Sequence, residues 1–246
     1  MKKILFWPYQ LYVWLLFAPL VVVLTLLFSS LTVLFSMWVN PNFASRVFGA
    51  TWARCCGWLT PIRVRVEGRE HCEAGRSYVV VANHQSLYDI VVVYGWLDLD
   101  LKWVMKQELR SIPGIGIGCE KAGHIFIDRH KPKEAGRTIA AALERLGDGV
   151  GMLFFPEGTR SRDGRLLPFK RGAFRTAVEQ QLPLLPITLL GTRDICPART
   201  LKIFPGRVRM VIHPAIETAG LGPEKIDALA NRSRQVIEAA MPAGLR

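Results

Sequence analysis

The chain of 246 residues is short of several familiar signatures. It has no H-E-x-x-H and no G-x-S-x-G, which removes the commonest zinc-hydrolase and serine-esterase patterns. It also has no G-x-x-x-x-G-K and no G-x-G-x-x-G, so neither a phosphate loop nor a dinucleotide fingerprint is present. The glycine-punctuated segment Ile112–Gly118 matches neither spacing and reads as an acyl-groove wall or a tight packing segment. The five cysteines are odd in number and none lies in a C-x-x-C. No metal site or disulfide framework is expected, and a reducing compartment fits. Acidic residues are missing from residues 1–45, whose only charges are Lys2 and Lys3.

What is present divides into an apolar head and a basic body. The formal net charge is +12, and all but two of those positive charges lie beyond residue 45. Such an excess points to an anionic partner. A positive mean hydropathy of +0.20 disfavours nucleic acid and leaves a membrane surface or a phosphate-bearing substrate.

Leu11 to Val39 carries no charge, which exceeds the ~20 residues that span a bilayer. Trp7, Tyr9, Tyr12 and Trp14 at one end and Trp38 at the other suit interfacial belts. The run is too long for the apolar core of a signal peptide. A single spanning helix and a hairpin within one leaflet both fit. For the hairpin, Pro19 supplies a kink, Asn40-Pro41-Asn42 a turn and residues 43–60 a second, amphipathic helix. Residues 1–60 are thus expected to form a membrane anchor, and residues 61–246 the body. The weight of Lys and Arg places that body on the cytoplasmic face of the membrane, a bacterial inner membrane by expectation.

Within the body, Ile62–Val66 alternates with the period of a half-exposed strand. Short apolar runs at 77–82, 124–128, 151–155, 184–190 and 208–212 read as further strands. Helical patterns at 134–146, 174–181 and 224–240 separate several of them. The expected fold class is α/β: a mixed, mostly parallel sheet flanked by helices, with an N-terminal apolar helical membrane anchor.

Asn83-His84-Gln85-Ser86-Leu87-Tyr88-Asp89 directly follows a buried strand, where ligands collect in open α/β sheets. A hydroxyl becomes nucleophilic when a base takes its proton, and histidine is the side chain suited to that near neutral pH. A carboxylate on Nδ1–H fixes the tautomer and steadies the imidazolium. His84 and Asp89 therefore read as a serine triad without its serine, the substrate bringing the hydroxyl. By spacing alone, a helix cap beside a core histidine fits equally well. Phe155-Pro156-Glu157-Gly158-Thr159-Arg160-Ser161 also follows an apolar strand; its glycine permits close approach and Arg160 offers a fork of donors to a phosphate. Arg129 ends another strand, and Lys102 and Lys106 add positive charge. His71, His124, His130 and His213 have no ligand-like spacing and read as structural or surface residues.

With these blocks in order, residues 60–215 resemble the 1-acyl-glycerol-3-phosphate acyltransferases, within the glycerolipid acyltransferases. The resemblance rests on Asn83-His84-Gln85-Ser86-x-x-Asp89, on Lys106-x-Glu108-Leu109 leading to Ile125–Arg129, on Phe155–Ser161, and on Leu184-Leu185-Pro186-Ile187. It implies His84 as general base and Asp89 as its orienting partner. It implies that Glu157, Gly158, Thr159 and Arg160 bind the phosphate-bearing acceptor, with Lys106 and Arg129 adding charge. It implies no metal and no redox cofactor. The co-substrate would be acyl-CoA or an acyl thioester of acyl carrier protein, and that acidic carrier is then a partner beside the lysophospholipid and the membrane. Backbone N–H groups of residues 83–86 are the expected oxyanion donors. Competing readings are another lysophospholipid or an aminolipid as acceptor, a thioesterase using water, and a lipid-binding scaffold without turnover.

Overall fold

The computed structural model describes residues 3–128, 130–144 and 148–245. The apolar head forms two antiparallel arms. The first runs through α1 (Lys3–Tyr12), a π-helical turn (Val13–Phe17) and α2 (Ala18–Trp38). Asn40 then caps α3 (Pro41–Ala44): its side-chain oxygen accepts the N–H of Asn42 at 2.7 Å and of Phe43 at 3.3 Å, with Pro41 at the first helical position. A second π turn (Ser45–Gly49) leads into α4 (Ala50–Leu59). Phe35 lies against Phe43 and Phe48, Trp52 Nε1 donates to Thr25 Oγ1, and Tyr12 Oη donates to the Leu59 carbonyl. The arms thus touch at both ends and in the middle.

The body is built on seven strands: β1 (Ile62–Glu67), β2 (Tyr78–Ala82), β3 (Asp100–Lys106), β4 (Ile125–Ile127), β5 (Val150–Phe154), β6 (Leu184–Leu190) and β7 (Gly206–Ile212). They line up as β1-β7-β6-β2-β5-β3-β4. Every pairing is parallel except β6 with β7. The helices are α5 (Tyr88–Trp96), α6 (Ile115–Lys121), α7 (Pro132–Leu143), α8 (Gly172–Glu179), α9 (Thr192–Ile195) and α10 (Ile226–Ala239). One core layer lies between the sheet and α5, and gathers Tyr88, Val92, Leu101, Leu185, Met210 and Ile212. The other lies under α8 and α10 and gathers Val81, Met152, Phe154, Phe174, Ile226 and Leu229. β2 and β5, covered on both faces, are buried throughout, as parallel central strands require.

β3 falls where the sequence pattern gave no strand. Lys102, counted in the sequence among the added positive charges, is fully buried: its Nζ donates to Asp100 Oδ1 at 3.0 Å and to the Ala122 carbonyl at 2.9 Å. Two charges on one face of a strand neutralise each other there, and burial is tolerated because both are paired. Of the two readings of Ile112–Gly118, the structure gives tight packing. A Cβ on Gly118 would stand 2.4 Å from Ser29 Oγ, and one on Gly114 2.9 Å from Leu26, so α6 lies directly on α2.

Candidate active site

β2 ends at Ala82, and the turn after it carries His84. Asn83 fixes the exit. Its side chain is buried and makes a two-bond clasp on the backbone of Leu189 in β6, donating to the carbonyl at 2.9 Å and accepting the N–H at 2.7 Å. Ser86 accepts the N–H of Tyr88 at 3.1 Å as α5 begins, and donates to the Cys196 carbonyl at 2.8 Å. Asp89, in the first turn of α5, points back into the loop.

His84 Nδ1 lies 2.8 Å from Asp89 Oδ2. The same oxygen accepts the N–H of Gln85 at 2.6 Å and of Ser86 at 2.8 Å, and Asp89 is fully buried. The imidazole stacks on Phe155, with centroids 3.9 Å apart and planes 13° apart. With Nδ1 facing the carboxylate, Nε2 is the nitrogen left to exchange a proton.

The backbone of His84 is held by the Phe155–Ser161 block. Glu157 Oε1 accepts the His84 N–H at 2.7 Å, Oε2 accepts the Leu167 N–H at 3.0 Å, and the Ser161 N–H donates to the His84 carbonyl at 2.8 Å. Burial pushes the Glu157 carboxyl up to about 7, opposed by those two N–H donors. Both oxygens of Glu157 are thus used inside the chain and the residue is buried, which ties it to the backbone of His84 and Leu167. The expected oxyanion donors are engaged in the same way. The N–H groups of His84, Gln85 and Ser86 already serve Glu157 and Asp89, so residues 84–86 have none to offer.

Gly158 takes the left-handed conformation, φ 72°, that turns the block back. Thr159 is exposed and Arg160 half-buried beyond it. Lys170, which sequence reasoning passed over, lies beside this turn: a Cβ on Gly158 would meet its Nζ at 2.8 Å. Its signal was its place in Phe169-Lys170-Arg171-Gly172, downstream of the block, where nothing marks a surface lysine as different from any other. Lys106 is exposed at the end of β3, on the sheet edge that carries His84. Arg129 lies outside the described residues. Among the described residues no group of His, Cys, Asp and Glu is placed to hold a metal ion.

Residues 63–190 match the family model described as Acyltransferase. The chain is 37% identical over 178 residues to the 1-acyl-sn-glycerol-3-phosphate acyltransferase alpha of Ovis aries, covering 72% of this chain and 62% of that protein. The namesake from Homo sapiens is 36% identical over 178 residues, covering 72% and 63%. The chain thus spans less than two thirds of these relatives. A solved structure, the 1-acyl-sn-glycerophosphate acyltransferase PlsC from Thermotoga maritima, superposes with a TM-score of 0.77 at 28% identity, covering 97% of this chain and 95% of that one.

Proposed function

The chain belongs to the acyltransferase family, and on that premise we propose that it moves a fatty acyl group from a thioester to the sn-2 hydroxyl of 1-acyl-glycerol-3-phosphate, giving phosphatidic acid. The names of its relatives support this acceptor. The observation that carries the reading is the 2.8 Å pair of His84 and a fully buried Asp89. Ser86, the nearest hydroxyl in sequence, already bonds Cys196 and Tyr88.

His84 Nε2 takes the proton of the acceptor hydroxyl as its oxygen attacks the thioester carbonyl. Asp89 holds the Nδ1–H and the imidazolium. When the tetrahedral intermediate collapses, the C–S bond breaks and the thiolate recovers the proton from His84. The reaction balances without a metal or redox cofactor. Arg160, Gly158, Thr159 and Lys106 hold the acceptor phosphate, together with Arg129. Acyl-CoA and acyl carrier protein present the same thioester, and the basic body suits either. The helix Phe6–Trp38, 33 residues long and apolar enough to cross a bilayer, keeps residues 1–60 in the membrane and the body of residues 61–246 on its cytoplasmic face.

The acceptor is tested by comparing lysophosphatidate with monoacylglycerol. Charge-assisted contacts are worth ~1.5–3 kcal/mol, so Arg160→Ala raises KM for lysophosphatidate about tenfold or more. Monoacylglycerol, a poor acceptor throughout, is unaffected. Equal use of both acceptors by the native protein contradicts a phosphate site and favours another lipid acceptor.

A further inference from the structure

Beyond the catalytic turn, residues 197–205 (Pro197-Ala198-Arg199-Thr200-Leu201-Lys202-Ile203-Phe204-Pro205) leave α9 and return to β7. The Phe204 N–H donates to the Ile195 carbonyl at 2.8 Å, which closes the loop at its base. Thr200 folds back on the Pro197 carbonyl through its N–H at 3.1 Å and its hydroxyl at 2.9 Å. This built loop presents Leu201 at 73% exposure, among the most exposed large apolar side chains described. Arg199 and Lys202 are exposed on either side of it.

Contacts on two sides say what lies next to the tip. On one side the loop is fastened to the apolar head: Gln10 Nε2 donates to the Ile203 carbonyl at 2.7 Å, Phe6 and Phe204 pack at 5.9 Å, and Lys202 Nζ lies 5.7 Å from the Phe6 ring. Trp7, 72% exposed, follows Phe6 directly. On the other side, Cys196 accepts the Ser86 hydroxyl at the catalytic turn, where Leu87 is exposed. From Arg193 to Arg209 five basic residues face one acid, Asp194. An exposed leucine between two cations, continuous with an exposed tryptophan on an apolar helix, has the composition of an interfacial contact.

We propose that loop 197–205 is a second bilayer-contact element, seating Leu201 in the interface of an anionic lipid surface with Arg199 and Lys202 at the headgroups. It rests on the reading of residues 1–60 as a membrane anchor and adds a function to it. The loop bridges α1 and the His84 turn, so its docking brings the lipid surface to the base. A lysolipid then reaches His84 laterally, without leaving the bilayer.

The test uses the full-length protein on vesicles of phosphatidylcholine alone or with phosphatidylglycerol. Hydrogen exchange at residues 197–205 is expected to slow on the anionic vesicles. That protection is lost in Arg199→Glu/Lys202→Glu and in Leu201→Ser. Each basic residue near an anionic surface is worth about fivefold in binding. Acyl transfer by the double variant therefore falls at least about tenfold on anionic vesicles and stays unchanged in detergent micelles. Sedimentation with vesicles but no protection of the loop overturns the proposal while leaving the anchor intact, and leaves the basic loop for an acidic protein. An equal loss of activity in micelles overturns it too. Failure of the native protein to sediment with either vesicle overturns the anchor and the loop contact together.

Discussion

At the scale of residues, the site is a set of bonds that make one imidazole point one way. Asp89 spends a single oxygen on His84 Nδ1 and two N–H groups, so its removal costs both the tautomer and the turn. Glu157 acts one step further out, on the His84 backbone. Its carboxyl is raised to about 7 by burial, from a usual 4.5. A raised carboxyl binds its proton more tightly folded than unfolded. Its burial therefore costs stability as pH climbs from about 4.5 to about 7, and adds no such cost below that window. Glu157→Gln keeps one carbonyl for one N–H and removes the charge. Thermal unfolding from pH 4.5 to 7 is expected to become flatter in this variant, while kcat falls and KM for lysophosphatidate stays near its native value. A selective rise in KM would return Glu157 to the acceptor site.

At the scale of elements, the same packing that orients the site also seats the apolar head. The close approach of α6 to α2 depends on Gly118, whose hydrogens leave room for Ser29. Gly118→Val forces the two helices apart, and overpacking of this kind costs ~1–3 kcal/mol. The variant is expected to melt several degrees lower, and Gly118→Ala by less. An unchanged melting point would mean that the two helices do not bear on each other in solution. Elements were also where the sequence could be read best and worst. Alternation in Ile62–Val66 and apolar runs such as Leu184–Leu190 are direct records of burial, and β1 and β6 form there. β3 escaped because Asp100 and Lys102 look like surface residues. The signal was their i, i+2 spacing, which puts both on one face of a strand where each can neutralise the other. The π turns at Val13–Phe17 and Ser45–Gly49 leave no mark in the sequence pattern.

At the scale of the whole molecule, the strand order brings distant blocks to one edge. β2 lies between β5 and β6, so the loops after β2 and β5 meet. Phe155 then stacks on His84, and Ser161 bonds its carbonyl, across more than seventy residues of chain. The motif spacing located both loops and the His–Asp pair. The roles within them were harder to read, because they depend on which groups the fold has already satisfied. Glu157 reads as a substrate ligand in sequence and is a backbone clamp in space. Of the N–H groups of residues 83–86, which read as oxyanion donors, those of 84–86 are already spoken for, which only the long-range partner Glu157 and the returning Asp89 reveal. The apolar head completes the picture by fixing where this edge sits, since α1 touches both the entry to β1 and the loop before β7.

The central claim is that His84 takes the proton of a lipid hydroxyl. The most direct measurement is acyl transfer from a labelled thioester to lysophosphatidate in vesicles, comparing the native protein with a folded His84→Ala variant. General-base catalysis is worth ~10²–10⁴-fold, so labelled phosphatidate from the native protein should fall by that factor in the variant. Equal product from both proteins would contradict the assignment of His84 and, with it, the mechanism built on its pairing with Asp89.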